Sequence, residues 1–360
     1  EYVEIVARAG SSALNFQWTG RQDILQTVIE KVRAATFMKP ETKSYNPSHY
    51  GKESVVRELI ALIQSGALRP DEVNHIENIL LAGLHEEIGQ PWIVHEPKWV
   101  GTRHQTMGMM GFLVTADYLL NRAHPNEESA AFLKTCVDQS HAYFHQFDEN
   151  YRDEGNDNTS FDSTGPIGRY VMAYGNSNFF ASGAAKLMSQ RALMMTDNRG
   201  WFVAPGNYED VRQGTMNAGV DTSHSVQLPA FVGRNGELRW IIENARGIKA
   251  MNDGGWAYGS GIAGNRYPLD PAVKPVEPQA WLGVTIQPLT SYYYDRCGNY
   301  MTHGGAQRDR RAWEALIPKE KAVEMVTFRD RFAPDAPYLF LNGFQGGRYN
   351  SMDVNAILRY

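Results

Sequence analysis

Apolar residues recur at three- and four-residue intervals through most of the first two hundred positions of the chain. Each such stripe occupies one face of a helix, because an α-helix turns once every 3.6 residues. The stripe within residues 21–36 and the five that follow predict amphipathic helices, arranged as hairpins around a common core. The stripe positions are Ile24, Leu25, Val28, Ile29 and Val32; Val55, Leu59, Ile60 and Ile63; Ile76, Leu80 and Leu84; Met109, Phe112, Leu113 and Leu120; Phe132, Leu133, Val137, Tyr143, Phe144 and Phe147; and Phe179, Leu187 and Met195.

The pattern changes at about residue 280, where short alternating runs replace the helical stripes. Alternation with a period of two predicts β-strands. Helices followed by strands predict an α+β chain, with a helical domain at residues 1–275 and an antiparallel β domain at 276–360. The strand positions are Val284, Ile286 and Leu289, continuing to Tyr292, Tyr293 and Tyr294; Val323, Met325 and Phe328; Tyr338, Leu339, Phe340 and Leu341; and Val354, Ala356 and Leu358.

The two ends of the sequence suggest a fragment or a processed piece. The first residue is Glu1 rather than Met, and the last alternating run reaches Tyr360 without a turn. A final strand without a successor predicts a β domain that is incomplete at its C-terminus. The lack of a signal peptide does not identify a compartment, and two cysteines, Cys136 and Cys297, do not establish a disulfide framework.

Composition indicates a globular protein with a sizeable core, since 42% of the 360 residues are hydrophobic and 21% are charged. A net charge of -5 without any run of Lys or Arg argues against nucleic acid and membrane surfaces as partners. No stretch of eighteen apolar residues is present to span a bilayer. Aromatic residues make up 11%, and their rings suit either the core or the faces of sugars.

The segment LHEEIG at residues 84–89 begins like the helix of a zinc protease. Its geometry requires a second His four positions after His85, where the chain has Gly89 instead. We therefore reject the metal site and interpret Glu86 and Glu87 as a solvated helix end.

His141 and His145 have the i, i+4 spacing of metal ligands, but no third ligand accompanies them. The aromatic residues around them favour a half-buried helix face. Residues 154–165 are rich in acidic and amide side chains without the pattern of a calcium loop, so an Asx-rich turn is the preferred interpretation.

Three glycine-bearing segments concentrate side chains for which a helical core has little use. They are NAGVDTSHSVQL, whose His opens a predicted helix, NDGGWAYGSGIAGNRY, and the last seventeen residues, FQGGRYNSMDVNAILRY. Glycines permit the close approach of a polymer, so we expect the segments to converge on one cleft. The candidate residues are His224; Trp256, Tyr258, Arg266 and Tyr267; and Gln345, Arg348, Tyr349 and Asn350.

The chemistry of this set favours elimination over hydrolysis. A glycoside hydrolase normally uses two carboxylic acids that flank the bond, and the set has no obvious carboxylate pair. A polysaccharide lyase removes the proton next to a uronate carboxylate. It needs a group that stabilises that carboxylate, a base, and an acid for the leaving oxygen. His, Arg, Asn and Tyr supply these roles.

The order of helices, the Ser-His segment, the DGGWAYGS loop and the final FRDRFAPDAPYLFLNGFQGGRYNSMDVNAILRY resemble the heparinase II/III-like family of polysaccharide lyases. The resemblance covers about residues 100–360 and is clearest in the last forty. It implies an incomplete α/α toroid followed by an antiparallel β-sandwich, with the active site in the cleft between them. It also implies a secreted or periplasmic location.

The resemblance implies roles for individual residues. His224 matches the helix-opening His that acts near the substrate carboxylate or as a base. Tyr258 matches the Tyr that transfers protons, with Tyr267 as its rival. Structural roles stay open beside these, with His224 as a helix cap and Trp256 as packing between domains.

The last segment departs from the family pattern. That pattern is His-x-His-x-Asp-x-Asn, in which one His can be catalytic and the other helps to bind zinc. Asp353 and Asn355 match its end, but the two His positions fall on Tyr349 and Ser351. This departure argues against the zinc ligands and against a His-based step from this segment; we predict no cofactor and name no metal ligand, while a structural metal elsewhere stays open.

The sequence thus predicts a lyase acting on an acidic, uronate-containing polysaccharide or oligosaccharide. His224 and Arg348 would steady the carboxylate, while Tyr258, helped by Tyr349, would transfer protons. Two alternatives stay open: a glycoside hydrolase on the same helical scaffold, with Asp253 and Glu277 as its carboxylates, and a glycan-binding protein without activity. The expected substrate-binding residues are Trp256, Arg266, Tyr267, Gln345 and Asn350.

Overall fold

The described part of the chain is helical up to residue 244 and forms strands after residue 282. The structure, a computed structural model, describes residues 20–34, 52–88, 103–122, 127–148, 164–198, 223–245, 270–288, 321, 323–342 and 356–359. The predicted order of helices and then an antiparallel sheet is confirmed. The α-helices are α1 Gln22–Ala34, α2 Lys52–Gln64, α3 Pro70–Glu87, α4 Arg103–Asn121, α5 Glu127–His145, α6 Thr164–Tyr174, α7 Asn178–Ala181, α8 Ala184–Met194 and α9 Gly236–Asn244. A π-helix spans Ser223–Val232, and the strands are β1 Gly283–Pro288, β2 Val323–Arg329, β3 Tyr338–Asn342 and β4 Ala356–Arg359.

The chain divides into two compact units, Glu1–Gln146 and Phe147–Tyr360. The first unit contains α1 to α5. The second contains α6 to α9, the π-helix and the sheet. The domain boundary predicted at residue 275 stays a prediction.

The apolar stripes that predict the helices of the first unit form its core. Helix α4 packs against α2, α3 and α5, and its residues Phe112 and Leu113 are completely buried. Burying a side chain of this size stabilises the fold by about 1.5–3 kcal/mol. Among the stripe positions of this unit whose burial the structure describes, Ile60, Leu120 and Phe132 are partly exposed.

One predicted helix is divided in two. The stripe from Phe179 to Met195 predicts a continuous helix, but α7 ends before Ser182 and α8 begins after Gly183. Gly183 has a φ of 91°, a left-handed conformation that interrupts a helix and that glycine adopts at little cost. The stripe therefore predicts burial correctly for Phe179 and Met195, whereas Leu187 is partly exposed and the helix is not continuous.

The four strands form one antiparallel sheet in the order β1-β2-β3-β4. Residues directly opposite each other on neighbouring strands share a face of the sheet. The register therefore places two apolar rows on one face: Val284, Phe328 and Leu339; and Ile286, Val326 and Leu341.

The apolar residues that predict β1 lie on the face away from the helices. Val284 is 65% exposed and Ile286 is 53% exposed, whereas Thr285 and Gln287 are buried. Strand β2 packs against α8, and Gln287 of β1 contacts Gln190 of the same helix. The helix-covered face of β1 is thus its polar one.

Arg329 of β2 joins the sheet to the end of α8. Its completely buried guanidinium donates to the carbonyl oxygens of Leu193 at 2.9 Å and Thr196 at 2.5 Å, and to the side-chain oxygen of Asn198. The last carbonyls of an α-helix have no partner within the helix, and a cation is favourable there. The sheet therefore supplies the C-terminal cap of α8.

Two aromatic rings enclose the same guanidinium. The ring centroids of Phe332 and Tyr338 lie 4.5 Å and 4.7 Å from its central carbon, and the Tyr338 hydroxyl donates to the carbonyl oxygen of Met194. Such ring contacts favour a cation. Burial lowers the pKa of Arg329 to about 10, so the side chain stays charged at neutral pH.

Candidate functional site

Of the candidates for the lyase site, His224 alone falls in the described ranges, and its backbone forms the second residue of the π-helix. Glu277 of the hydrolase alternative is also described, and it is exposed. The predicted helix start is confirmed, but the helix has the wider π geometry. Convergence of the three segments stays a prediction, because the other candidates lie outside the described residues, as does Asp253 of the hydrolase alternative. These candidates are Trp256, Tyr258, Arg266, Tyr267, Gln345, Arg348, Tyr349 and Asn350.

Close packing accompanies the π geometry at the end of this helix. Pro229 has no backbone N–H, and the N–H of Gly233 bonds to the carbonyl oxygen of Leu228, five residues back. A Cβ at Gly233 would lie 2.6 Å from the Pro229 oxygen and 2.7 Å from the Phe180 ring. Only glycine fits at this position without displacing backbone.

Helix α8 contacts the beginning of the π-helix. Ser189 is completely buried, and its hydroxyl lies 3.0 Å from the carbonyl oxygen of Ala185 and 2.8 Å from that of Ser225. The first distance is the usual bond of a helical Ser to its own preceding turn. The second joins two helices, and its acceptor is the residue directly after His224. The backbone beside His224 is thereby attached to α8.

The next residue of α8 reaches the sheet. The amide nitrogen of Gln190 donates to the side-chain oxygen of Gln287 at 2.7 Å, and Gln287 is only 4% exposed. In the sheet, Gln287 pairs with Met325, which pairs with Asn342. The glutamine pair therefore marks the end of the sheet at which β1 and β3 finish.

The part of the last candidate segment that links β3 to β4 begins and ends at this same end of the sheet. Residues 343–355, which include Arg348 and Tyr349, join β3 to β4. Leu341 pairs with Ala356, so the segment leaves the sheet and returns to it at neighbouring positions.

Helix α9 holds one end of the segment that carries Tyr258. Residues 246–269 follow α9, and the chain returns at Asp270, whose carbonyl oxygen accepts from Arg239 of α9 at 3.0 Å. The N–H of Val276 also donates to the carbonyl oxygen of Gly236, at 2.9 Å. Because α9 packs against the π-helix, this segment starts on a helix adjacent to the one that carries His224.

Three buried polar groups of the second unit lack a hydrogen-bond partner among the described residues. They are the hydroxyls of Ser225 and Thr285 and the indole N–H of Trp281. Leaving such a group unsatisfied costs about 1–3 kcal/mol. Ser225 is the most relevant, because it directly follows His224 and adds hydrogen-bonding capacity at the start of the π-helix.

Glu87 corrects one interpretation of the sequence. Glu86 is exposed as predicted, but Glu87 is completely buried and forms an ion pair with the buried ammonium group of Lys52. Gly111 makes room for the lysine, since a Cβ there would lie 2.7 Å from its Cγ. The ammonium group also lies 5.7 Å from the ring centroid of Phe112. The predicted solvated helix end is therefore wrong for Glu87, because Lys52 enters the core over a glycine.

Burial shifts the pKa values of two ionisable groups in the first unit, and the sequence gives no sign of either shift. Burial lowers the pKa of Lys52, whose ammonium group is paired with the Glu87 carboxylate. Burial raises the pKa of Glu58 to about 8, and one oxygen of that carboxyl has no partner in the described part of the chain. Glu58 consequently carries a proton at neutral pH.

His85 and His141, which the sequence analysis weighed as metal ligands, lie on helices of the first unit. His85 stacks on Phe132 with ring centroids 3.8 Å apart. His141 is half-buried. Its pKa is lowered mainly by this burial and, to a smaller extent, by the neighbouring His145. Among the described residues, no three side chains of His, Cys, Asp or Glu are grouped so that they could hold a metal ion.

Comparisons with family models, characterised proteins and solved structures give no match to this chain. Of the helices that the structure describes, none combines the length and the apolar character needed to cross a bilayer. What the protein does must therefore be inferred from its own residues.

Proposed function

We propose that the chain is a polysaccharide lyase that cleaves a uronate-containing polysaccharide by β-elimination. The observation that carries the proposal is a pair of contacts made by neighbouring residues of α8. Ser189 contacts the backbone beside His224, and Gln190 contacts the end of β1. The segment with Arg348 and Tyr349 leaves and re-enters the sheet at that same end. This arrangement supports a cleft shared by two of the three candidate segments.

The third segment is compatible with the same cleft. A link of three residues joins the π-helix to α9, and the two helices pack against each other. Two helices joined by so short a link commonly run antiparallel, so the end of α9 returns toward the beginning of its neighbour. Tyr258 follows that end in the sequence, which supports its placement near His224.

In the proposed reaction, a base removes the proton from the carbon that bears the uronate carboxylate. The electron pair forms a carbon-carbon double bond as the bond to the glycosidic oxygen breaks, and an acid protonates that oxygen. Negative charge accumulates on the carboxylate, where His224 and Arg348 stabilise it. Tyr258, helped by Tyr349, transfers the protons, and a tyrosine that acts as a base requires a pKa below the ordinary value of about 10.

Five further side chains bind the sugar chain in this proposal. Aromatic rings offer flat apolar faces to sugars, and the Arg and amide groups bind hydroxyl or carboxylate oxygens. These residues are Trp256, Arg266, Tyr267, Gln345 and Asn350.

We also propose that the helices belong to an incomplete α/α toroid and that the sheet is one layer of a β-sandwich. Two continuous apolar rows cross the sheet face away from α8, and four of their residues are at least 37% exposed. A sheet face of this kind is typical of the inner surface of a sandwich. The exposed members are Val284, Ile286, Phe328 and Leu341.

The sandwich predicts that replacing Val284 and Ile286 with Thr destabilises the full-length protein. Threonine keeps the β-branched shape, so the change mainly places two hydroxyls on the face. If a second layer covers them, we expect the double variant to lose about 2–4 kcal/mol in urea unfolding. Val276→Thr is the control, because Val276 is 54% exposed outside the strands. A double variant as stable as this control would contradict the second layer.

The lyase proposal is tested by incubating the folded protein with alginate, polygalacturonate, hyaluronan, chondroitin sulfate and heparan sulfate. We expect at least one polymer to give an unsaturated product that absorbs in the ultraviolet. Tyr258→Phe should lower that rate by about 100-fold or more, because it removes the proton carrier. Tyr118→Phe is the control: its hydroxyl donates to Glu77 at 2.7 Å in the first unit, and activity should not change.

A parallel assay of reducing ends separates the alternatives. New reducing ends without the ultraviolet signal would indicate hydrolysis and overturn the lyase. Saturable binding without any product, unaffected by Tyr258→Phe, would indicate a glycan-binding protein. Absence of both signals and of binding across the panel would also overturn the proposal.

A further inference from the structure

We infer that Ser189 is a positioning residue for His224. This inference rests on the proposed function, in which His224 stabilises the uronate carboxylate. Ser189 itself is completely buried in α8, and in this proposal it does not touch the substrate. It acts through the backbone of Ser225, whose carbonyl oxygen is 2.8 Å from its hydroxyl.

The beginning of the π-helix requires an external anchor. The first N–H groups of a helix have no partner within it, and a π-helix, closing its bonds five residues apart, leaves one more group open than an α-helix. His224 is in this first turn. The Ser189 hydroxyl does not satisfy those N–H groups, since it donates to the carbonyl oxygen of Ser225, but it attaches the turn to α8 and so limits how far the His224 backbone moves.

The same helix is attached to the sheet at two points that follow Ser189. Gln190 bonds to Gln287 of β1, and the carbonyls at the C-terminal end of α8 accept from Arg329 of β2. Helix α8 is therefore fixed relative to the strands that lead to the last candidate segment. Through Ser189, the position of the sheet determines the position of the His224 backbone.

Ser140 of α5 provides a matched control. It is also completely buried, and its hydroxyl donates to the carbonyl oxygen of Cys136, four residues earlier, at 2.8 Å. The Ser189 hydroxyl lies at a similar distance, 3.0 Å, from the carbonyl oxygen of Ala185, but it shares its one hydrogen with the carbonyl oxygen of Ser225 at 2.8 Å. Ser140→Ala and Ser189→Ala therefore remove a similar local interaction, and only the second removes a contact with the π-helix.

The test compares the two variants by NMR of histidine-labelled full-length protein, with His224→Gln used to assign the His224 signal. In Ser189→Ala we expect the His224 ring signal to broaden or shift and its titration midpoint to change. In Ser140→Ala it should stay as in the unmodified protein. On a polymer that the protein cleaves, Ser189→Ala should lower kcat about 10- to 100-fold with KM within about twofold, and should shift the pH profile of kcat/KM.

Identical His224 signals and pH profiles in the two variants would overturn the positioning role. The NMR measurement needs no substrate, so it decides the role of Ser189 even if no polymer is cleaved and the lyase proposal fails. Should Ser189→Ala not fold, Ser189→Cys keeps the volume and has only a weak donor. The same changes in His224 are expected for it, and their absence would overturn the inference.

Discussion

Replacing Arg329 with methionine is expected to lower the free energy of unfolding by about 3–5 kcal/mol. The change removes the guanidinium donor from the carbonyl oxygens of Leu193 and Thr196 and from the side-chain oxygen of Asn198, and among the described residues the Leu193 oxygen keeps only the N–H of Thr196 at 3.3 Å. It also takes a positive charge away from the buried Asp197. Methionine fills much of the volume, so the loss reports the hydrogen bonds and the charge rather than a cavity.

Arg331→Met is the matched control, because it removes the same group two residues away. Arg331 is exposed, and its ion pairs with Asp330 and Asp335 are surface pairs worth at most about 1 kcal/mol. Arg329→Lys should recover little, since an ammonium group cannot reproduce the planar fork that reaches three acceptors. Urea unfolding gives the free energies, and hydrogen exchange of β2 and β3 assigns the loss to the sheet. A loss in Arg329→Met no larger than in Arg331→Met would show that this cap contributes nothing.

Replacing Glu87 with Gln is expected to destabilise the first unit by about 3–5 kcal/mol, because it leaves the buried Lys52 ammonium group without its counter-charge. The double variant Lys52→Met with Glu87→Leu removes both charges and should recover most of that loss. The energies come from urea unfolding at pH 7, analysed as a double-mutant cycle with the corresponding single variants. A double variant that is less stable than Glu87→Gln would contradict the pairing.

Glu58→Gln is the control, since it is the same substitution at another buried glutamate of this unit. The folded pKa of Glu58 is raised from 4.5 to about 8, so the folded state holds more protons than the unfolded state between these values. Its contribution to stability is therefore complete below pH 4.5 and is lost as the pH rises through 8. Glutamine cannot ionise. The free energy of unfolding of the variant, relative to that of the parent protein, should therefore rise by about 2–4 kcal/mol between pH 4.5 and pH 9. An unchanged difference across this range would show that Glu58 is ionised in the folded state.

The helices and strands were largely predictable because each is encoded by a local period. The stripe of Ile76, Leu80 and Leu84 required a helix with one buried face, and the alternation of Tyr338 and Phe340 with their neighbours required a strand. The break at Gly183 was less accessible. A glycine lies there in the sequence, but its left-handed conformation depends on how α7 and α8 pack.

The candidate site was predictable only as a list of residues. Sequence placed His224 at a helix start, and glycines marked the other two segments as loops. It offered no signal for Ser189 and Gln190, which read as ordinary polar residues of a helix. Their importance comes from partners 36 and 97 residues away. Similarly, Glu87 looked solvated because its partner, Lys52, is on another helix.

By itself, the sequence determined which segments become helices and strands and which side chains are available for chemistry. Those properties depend on the repeat of apolar positions over a few residues, which any short segment carries within itself. Only the tertiary structure decided that β1 turns its polar face to α8, that Arg329 caps that helix, and that Ser189 contacts the backbone beside His224. These outcomes depend on which segments meet, because a buried polar group is stable only where a distant partner satisfies it.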